Sequence, residues 1–204
     1  MKFSVQGISK SFNFREVLKD ISFSVPAGKS LALTGHNGSG KTTLLRILCN
    51  LLRADAGKMV FEKHGNEIKP VHFKNHFSLV GPYLQLYDEL TAFENLEFLA
   101  RLKNIEDTDN KIYEIINMTG LKGRAHDFVK TYSSGMKQRL KYAFALLSEP
   151  DILFLDEPTS NLDKQGIEVV YNIMEEQKAK KILIFATNDE SDLKFADGII
   201  SVNA

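Results

Sequence analysis

Residues Gly35, His36, Asn37, Gly38, Ser39, Gly40, Lys41 and Thr42 run in the spacing G-x-x-x-x-G-K-S/T, the P-loop pattern. Each residue type has a physical reason. Glycines at 35, 38 and 40 let the backbone adopt positive φ and approach a ligand closely. The loop N–H groups then converge as an anion nest. A helix that opens at Thr42 and Thr43 presents its positive end to the same anion. Lys41 adds a point charge for the β- and γ-phosphates of a nucleotide, and the Thr42 hydroxyl suits a Mg²⁺ ion. A chance glycine-rich turn is the competing reading. The context favours the phosphate cradle, because the pattern follows an apolar strand and opens a helix.

A second constellation lies at Ile152-Leu153-Phe154-Leu155-Asp156-Glu157, an apolar strand that ends in two acids. Asp156 is placed to hold Mg²⁺ through water, a Walker B pattern. Glu157 points elsewhere and suits the general base that polarises an attacking water. Alone, the same residues read equally well as a solvated acidic turn. A phosphate cradle in the same chain favours the metal reading.

These residues need elements to hold them. Ile21 to Val25 alternates apolar and polar as a half-buried strand does, Pro26-Ala27-Gly28 reads as a turn, and Ser30 to Thr34 reads as a strand. The helix after the glycine loop is expected from Thr42 to about Leu52, with further strands at Met59–Phe61 and Phe77–Val80. From about Tyr83 to Ser148 the pattern becomes helical, with helices over Glu94–Lys103, Asp107–Met118 and Ser134–Leu147. Strand–helix–strand order then returns: Ile152–Leu155, a helix, Ile182–Phe185, a short helix, and Ile199–Val202. The expectation is an α/β fold. A mostly parallel P-loop sheet is flanked by helices, with an antiparallel β part near the N-terminus and an inserted helical lobe over about residues 83–148. The whole of residues 1–204 is read as one domain.

Composition narrows the class. Lys plus Arg (26) equals Asp plus Glu (26), which argues against nucleic acid as the main partner. The single cysteine, Cys49, allows no internal disulfide and reads as a small core hydrophobe. No apolar stretch reaches the roughly 20 residues of a membrane-spanning helix, so no direct membrane insertion is expected. His64, His72, His76 and His126 lack metal-site spacing and read as surface residues.

A third signal selects among P-loop proteins. Tyr132-Ser133-Ser134-Gly135-Met136-Lys137-Gln138-Arg139 resembles the signature of ABC ATPases, in the form seen in many bacterial exporters. Asp156 to Asp163 resembles the family's Walker B and D-loop run. Leu86 to Thr91, followed by Glu94-Asn95-Leu96, resembles the segment after its Q-loop. The resemblance spans about Phe3 to Val202. It implies an ATP- and Mg²⁺-dependent hydrolase that works as a homodimer or with a paired ATPase subunit. The two pack head to tail, so that Ser133, Ser134 and Gly135 of one meet the γ-phosphate held by the other. Asp163 joins the nucleotide-contacting set. Phe12 matches the aromatic that stacks on adenine, with Phe14 as a rival and an ordinary core role open for either. An independent reading of Ser133 or Ser134 is a plain helix N-cap, compatible with the first.

The resemblance further implies a cytoplasmic subunit, peripheral to the inner membrane through an integral membrane transporter subunit, and an exporter of haem, drugs or similar cargo. A groove beside Tyr83 to Tyr87 is the expected docking surface. The alternative is a soluble ABC ATPase acting on the ribosome or DNA. The chain also departs from the pattern. Asn188 stands where the family places a γ-phosphate-contacting histidine, and either contacts the phosphate through its amide or caps the next short helix. Pro82 occupies the Q-loop glutamine position, with Gln85 nearby either as a Mg²⁺ or water contact or as a surface residue. Ser134 and Met136 replace a glycine and a glutamine of the signature.

Overall fold

The computed structural model describes residues 1–106 and 108–202. Two sheets share one core. The first is antiparallel and holds β1 (Lys2–Phe12), β2 (Arg15–Pro26), β4 (Ala56–Lys63) and β5 (Asn66–Ile68), in the order β2-β1-β4-β5. β1 and β2 turn at Asn13 and Phe14, both with positive φ (47° and 63°). A two-residue hairpin turn of that hand matches the twist of its strands. Phe3, Val5 and Ile8 of β1 are buried. The spacing slips between Val5 and Ile8 because the ladder is irregular at that point, beside Gly7 with φ 65°.

The second sheet is parallel throughout, in the order β6-β7-β8-β3-β9. Its strands are β3 (Lys29–Thr34), β6 (Phe77–Val80), β7 (Ile152–Asp156), β8 (Ile182–Ala186) and β9 (Gly198–Ser201). β7 and β8 are buried along their whole length, which is why their sequences are unbroken apolar runs rather than alternating ones. α1 (Lys41–Leu48) packs between the two sheets, and α5 (Lys164–Lys180) covers the opposite face. Phe3, Phe61, Phe73, Phe77 and Phe154 join the sheets through edge contacts, with centroids 5.3–6.4 Å apart where they meet edge-on.

Between β6 and β7 run α2 (Ala92–Lys103), α3 (Thr108–Met118) and α4 (Ser134–Leu146). They bury Leu96, Ile112, Ile116, Leu121 and Leu140 in a cluster of their own. α2 starts at a capping box, with Thr91 and Glu94 satisfying each other's backbone N–H groups. α4 ties these helices to the sheet. Its Leu140 and Ala143 face the helical cluster, its Tyr142 and Ala145 face the α5 side, and the Tyr142 hydroxyl donates to Pro158 O at 2.7 Å.

Two expectations need correction, and a third reaches beyond the described residues. α1 ends at Leu48, not Leu52, because Asn50 turns left-handed (φ 59°) and the Leu51 and Leu52 amides both fold back to Arg46 O. α3 starts at Thr108, and Asp107 lies outside the described residues. His76 is not a surface residue. It is half-buried, bonds Asp151 Oδ2 at 2.7 Å through Nδ1 and packs on Phe61. Lys63 donates to the same oxygen at 2.7 Å.

Candidate functional site

Every candidate at the glycine loop sits at the carboxyl end of a parallel strand, where such sheets bind ligands. The loop leaves β3 at Gly35, whose φ is 143°. A Cβ there would overlap the Val202 carbonyl and lie 2.6 Å from Ser39 Oγ, so only glycine fits. Gly40 (φ 101°) is the N-cap of α1, with no side chain capping the helix. A Cβ at Gly40 would press on Val17 and Leu18 of β2 at 2.9–3.0 Å. The first sheet therefore braces the loop from behind, and the uncapped first-turn N–H groups stay open to an anion.

Lys41 is buried to 6% exposure. Its ammonium donates to Gly35 O at 2.7 Å, to His36 O at 3.3 Å and to Asn188 Oδ1 at 2.9 Å. All three hydrogen-bond partners are neutral, and the Asp156 and Glu157 carboxylates reach the charge only through space. Asn188 also donates through Nδ2 to Asn37 Oδ1 at 2.6 Å. It thus bridges the lysine and the loop across 147 residues of sequence. The cap of the following short helix is Asp189, whose Oδ1 accepts from Ser191 N at 2.8 Å. That removes the capping alternative for Asn188.

Thr42 donates from Oγ1 to Asp156 Oδ2 at 2.7 Å. Burial raises the Asp156 carboxyl above its ordinary value, against the Thr42 hydrogen bond and the Lys41 charge. Burial also raises the Glu157 carboxyl, against the Asn188 N–H, which donates to Oε2 at 3.4 Å. Glu157 adopts φ 51°, a left-handed conformation that costs a non-glycine residue about 1–2 kcal/mol. Its own N–H donates to Ala186 O at 2.9 Å. The turn carries the two adjacent acids apart, as two different roles require.

Among the described residues, no three His, Cys, Asp or Glu side chains cluster as metal ligands. One hydroxyl and one carboxylate, Thr42 and Asp156, meet instead. That pair fits Mg²⁺, which keeps several waters and takes most of its other oxygens from phosphate.

The other candidates lie around this centre. Thr43 lines the same concavity as Asn37, Gly38, Gly40 and Glu157, with Val17 of β2 on its wall. Gln85 is exposed and lines a groove of about 410 Å³ together with Asp156, Glu157, Ser134 and Lys137. Ser133 is the N-cap of α4, its Oγ accepting from Met136 N at 3.2 Å. Ser134 is exposed on the first turn of α4, and Gly135 beside it faces the Asn161 carbonyl at 3.7 Å from its Cβ position. Asp163 caps α5 by accepting from Gly166 N at 2.8 Å. Phe12 is 44% exposed and Phe14 fully exposed at the β1–β2 tip. Neither is a core aromatic, and Lys10 lies over the Phe12 ring at 5.2 Å.

Sequence reasoning missed two features. Val17 braces Gly40 but looks like any strand residue. Tyr83 carries the Arg46 guanidinium 4.3 Å above its ring, and no motif marks that pair.

A family model described as "ABC transporter" matches residues 18–160. The chain is 34% identical over 202 residues to "Uncharacterized ABC transporter ATP-binding protein YybJ" of Bacillus subtilis (strain 168), covering 98% of this chain and 91% of that protein. It is 32% identical over 213 residues to the "Sulfate/thiosulfate import ATP-binding protein CysA" of Bacillus cereus (strain ATCC 10987 / NRS 248), covering 100% of this chain and 59% of that one. Two further curated relatives are about twice as long, the chain spanning 53% and 54% of them. A solved structure titled "Structure of ATP binding subunit of ABC transporter" superposes with a TM-score of 0.86 at 26% identity, over 100% of this chain and 86% of that one.

Proposed function

This chain belongs to the ABC transporter family, and on that premise we propose that it binds ATP with Mg²⁺, hydrolyses it as one of a head-to-tail pair, and powers a separate transmembrane transporter. The observation that carries the reading is the Lys41 ammonium, buried and held only by neutral oxygens, next to the Thr42–Asp156 pair. A buried cation without a carboxylate partner is costly, and a nucleotide's phosphates supply the missing negative charge.

In this reading, residues 35–43 cradle the phosphates and Phe12 offers a face to adenine. Thr42 and Asp156 hold Mg²⁺, which screens phosphate charge when bound. Glu157 takes a proton from the attacking water, and its raised carboxyl is a better base for that purpose than an ordinary glutamate. Lys41 stabilises charge that develops on the transferred group. Asn188 fixes the lysine and donates an amide hydrogen where the family has a charged ring, which predicts a weaker phosphate contact. Gln85 faces the same groove and suits a water or metal contact. Ser133, Ser134 and Gly135 serve the partner's nucleotide, with Asp163 shaping the adjoining turn.

The transporter subunit docks, we propose, beside Tyr87 and Phe98. These rings are 56% and 40% exposed and meet edge-on at 5.4 Å. An apolar groove of about 240 Å³ opens between the lobe, at Leu84, Leu99 and Phe144, and the β6 strand, at Leu79. No helix among the described residues is long and apolar enough to cross a membrane; the peripheral position at the cytoplasmic face is proposed from the family's dependence on a transmembrane subunit. Export as the direction rests on the Tyr132–Met136 and Glu89–Leu96 patterns. Three relatives are named for import.

The test is Glu157→Gln. It is expected to lower hydrolysis by about 10²–10⁴-fold, the usual contribution of a general base, and to elute with ATP as a dimer. Hydrolysis at the wild-type rate by a monomeric variant sinks the reading.

A further inference from the structure

Among the described residues, three buried side-chain polar atoms have no hydrogen-bond partner: Ser39 Oγ, Tyr83 Oη and Arg139 Nε. Ser39 belongs to the glycine loop. Arg139 reaches the Gly120 carbonyl through Nη1 at 3.4 Å. The Arg46 guanidinium beside Tyr83 can only donate to it, so the phenol's own hydrogen has no acceptor, and a buried donor left unpaired costs about 1–3 kcal/mol. Phenylalanine would fill the same space without that cost.

The place of the hydroxyl is well defined. Val80 of β6 pairs with Leu155 of β7, so Gly81 runs beside Asp156. The Tyr83 ring folds back over Gly81: a Cβ there would sit 2.8 Å from Cζ and 3.0 Å from Oη. From the other side the ring is covered by Arg46, one helical turn beyond Thr42 on α1. The phenol thus lies between Gly81, at the end of β6, and Arg46 of the helix that carries Thr42. Asp156 has an unused acceptor in the same region. Thr42 donates to Oδ2, and no residue among those described donates to Oδ1.

We propose that Tyr83 is a positioning residue of the metal site: its hydroxyl, unbonded to Asp156 in this structure, would donate to the Asp156 carboxylate once that carboxylate holds Mg²⁺. A ligating carboxylate is oriented by its own hydrogen bonds, and such partners tune metal affinity. Gly81 is then required as the floor that lets the ring lie flat, and Arg46 as its cover. The inference rests on the Mg²⁺–nucleotide reading above.

Mg²⁺ is titrated against binding of a fluorescent ATP analogue to the intact chain and to Tyr83→Phe. Binding without Mg²⁺ should stay within about twofold, while the Mg²⁺ midpoint should rise about tenfold, as for loss of a hydrogen bond to a charged group. Gly81→Ala, which keeps the hydroxyl but crowds the ring, should move the midpoint in the same direction. Coincident midpoints for wild type and Tyr83→Phe overturn this inference alone. Absence of nucleotide binding by the wild type overturns the nucleotide reading and this inference with it.

Discussion

Gly35 and Gly38 both have positive φ, 143° and 82°, yet alanine should act differently at the two positions. At Gly38 a Cβ meets nothing within 4 Å. Its cost is the left-handed backbone alone, about 1–2 kcal/mol. The loss of unfolded-state freedom on adding a Cβ offsets about 0.4–1 kcal/mol of that. At Gly35 the backbone lies in a region that is nearly glycine-only, which costs of order 1–3 kcal/mol. The Cβ also runs into the Val202 carbonyl and Ser39 Oγ, and overpacking of this kind adds about 1–3 kcal/mol. The obstacle is backbone, so a rotamer change cannot relieve it. Urea denaturation of the two variants measures the difference. Gly35→Ala should lose roughly 2–5 kcal/mol, a drop in Tm of at least about 4 °C for a chain of this size. Gly38→Ala should lose about 1 kcal/mol or less. Equal losses, or a Gly35→Ala midpoint at the wild-type value, would refute the packing argument for the loop.

Two pH effects follow from the carboxyl groups. Glu157 must be ionised to accept a proton, and burial raises its carboxyl. The acid limb of kcat should therefore fall at a higher pH than the ~4.3 of a free glutamate; a pH–rate profile with the limb at or below that value counts against Glu157 as base. Asp151 behaves oppositely. Burial raises its carboxyl, but the Lys63 and His76 hydrogen bonds outweigh that and leave it net lowered. The folded state then binds fewer protons than the unfolded one, so this stability is present above the unfolded pKa and lost as pH falls through the folded value. Asp151→Asn should cost about 1–3 kcal/mol at neutral pH and less in acid, read from urea midpoints at both pH values; a loss independent of pH contradicts the assignment.

The sequence made visible what depends on local chemistry. The glycine loop is specified by residues within eight positions of each other, and β7 and β8 show in the apolar runs that full burial demands. Fold class followed from the strand–helix order, and the family from the Tyr132–Met136 segment. Long-range pairings left no mark. Nothing near Asn188 shows that it bonds both Lys41 and Asn37, because the contact exists only after β3 and β8 lie side by side. His76 looked solvent-facing because its partners lie far off in the sequence, Lys63 at the end of β4 and Asp151 just before β7. α1 was read four residues too long because Leu51 and Leu52 continue an apolar pattern that Asn50 has already broken.

The strand order bears on how the protein is made. β3 delivers the glycine loop, yet both of its neighbours, β8 and β9, come from the far end of the sequence, and the Val202 amide closes onto Thr34 O. A ribosome releases β3 long before either flanking strand exists. Until β8 has been made, therefore, Leu31, Ala32 and Leu33 have no parallel strand to join, and the loop has no frame to tension it. Before that point the cradle is incomplete, and shielding of that apolar segment falls to α1, to the first sheet, or to a chaperone.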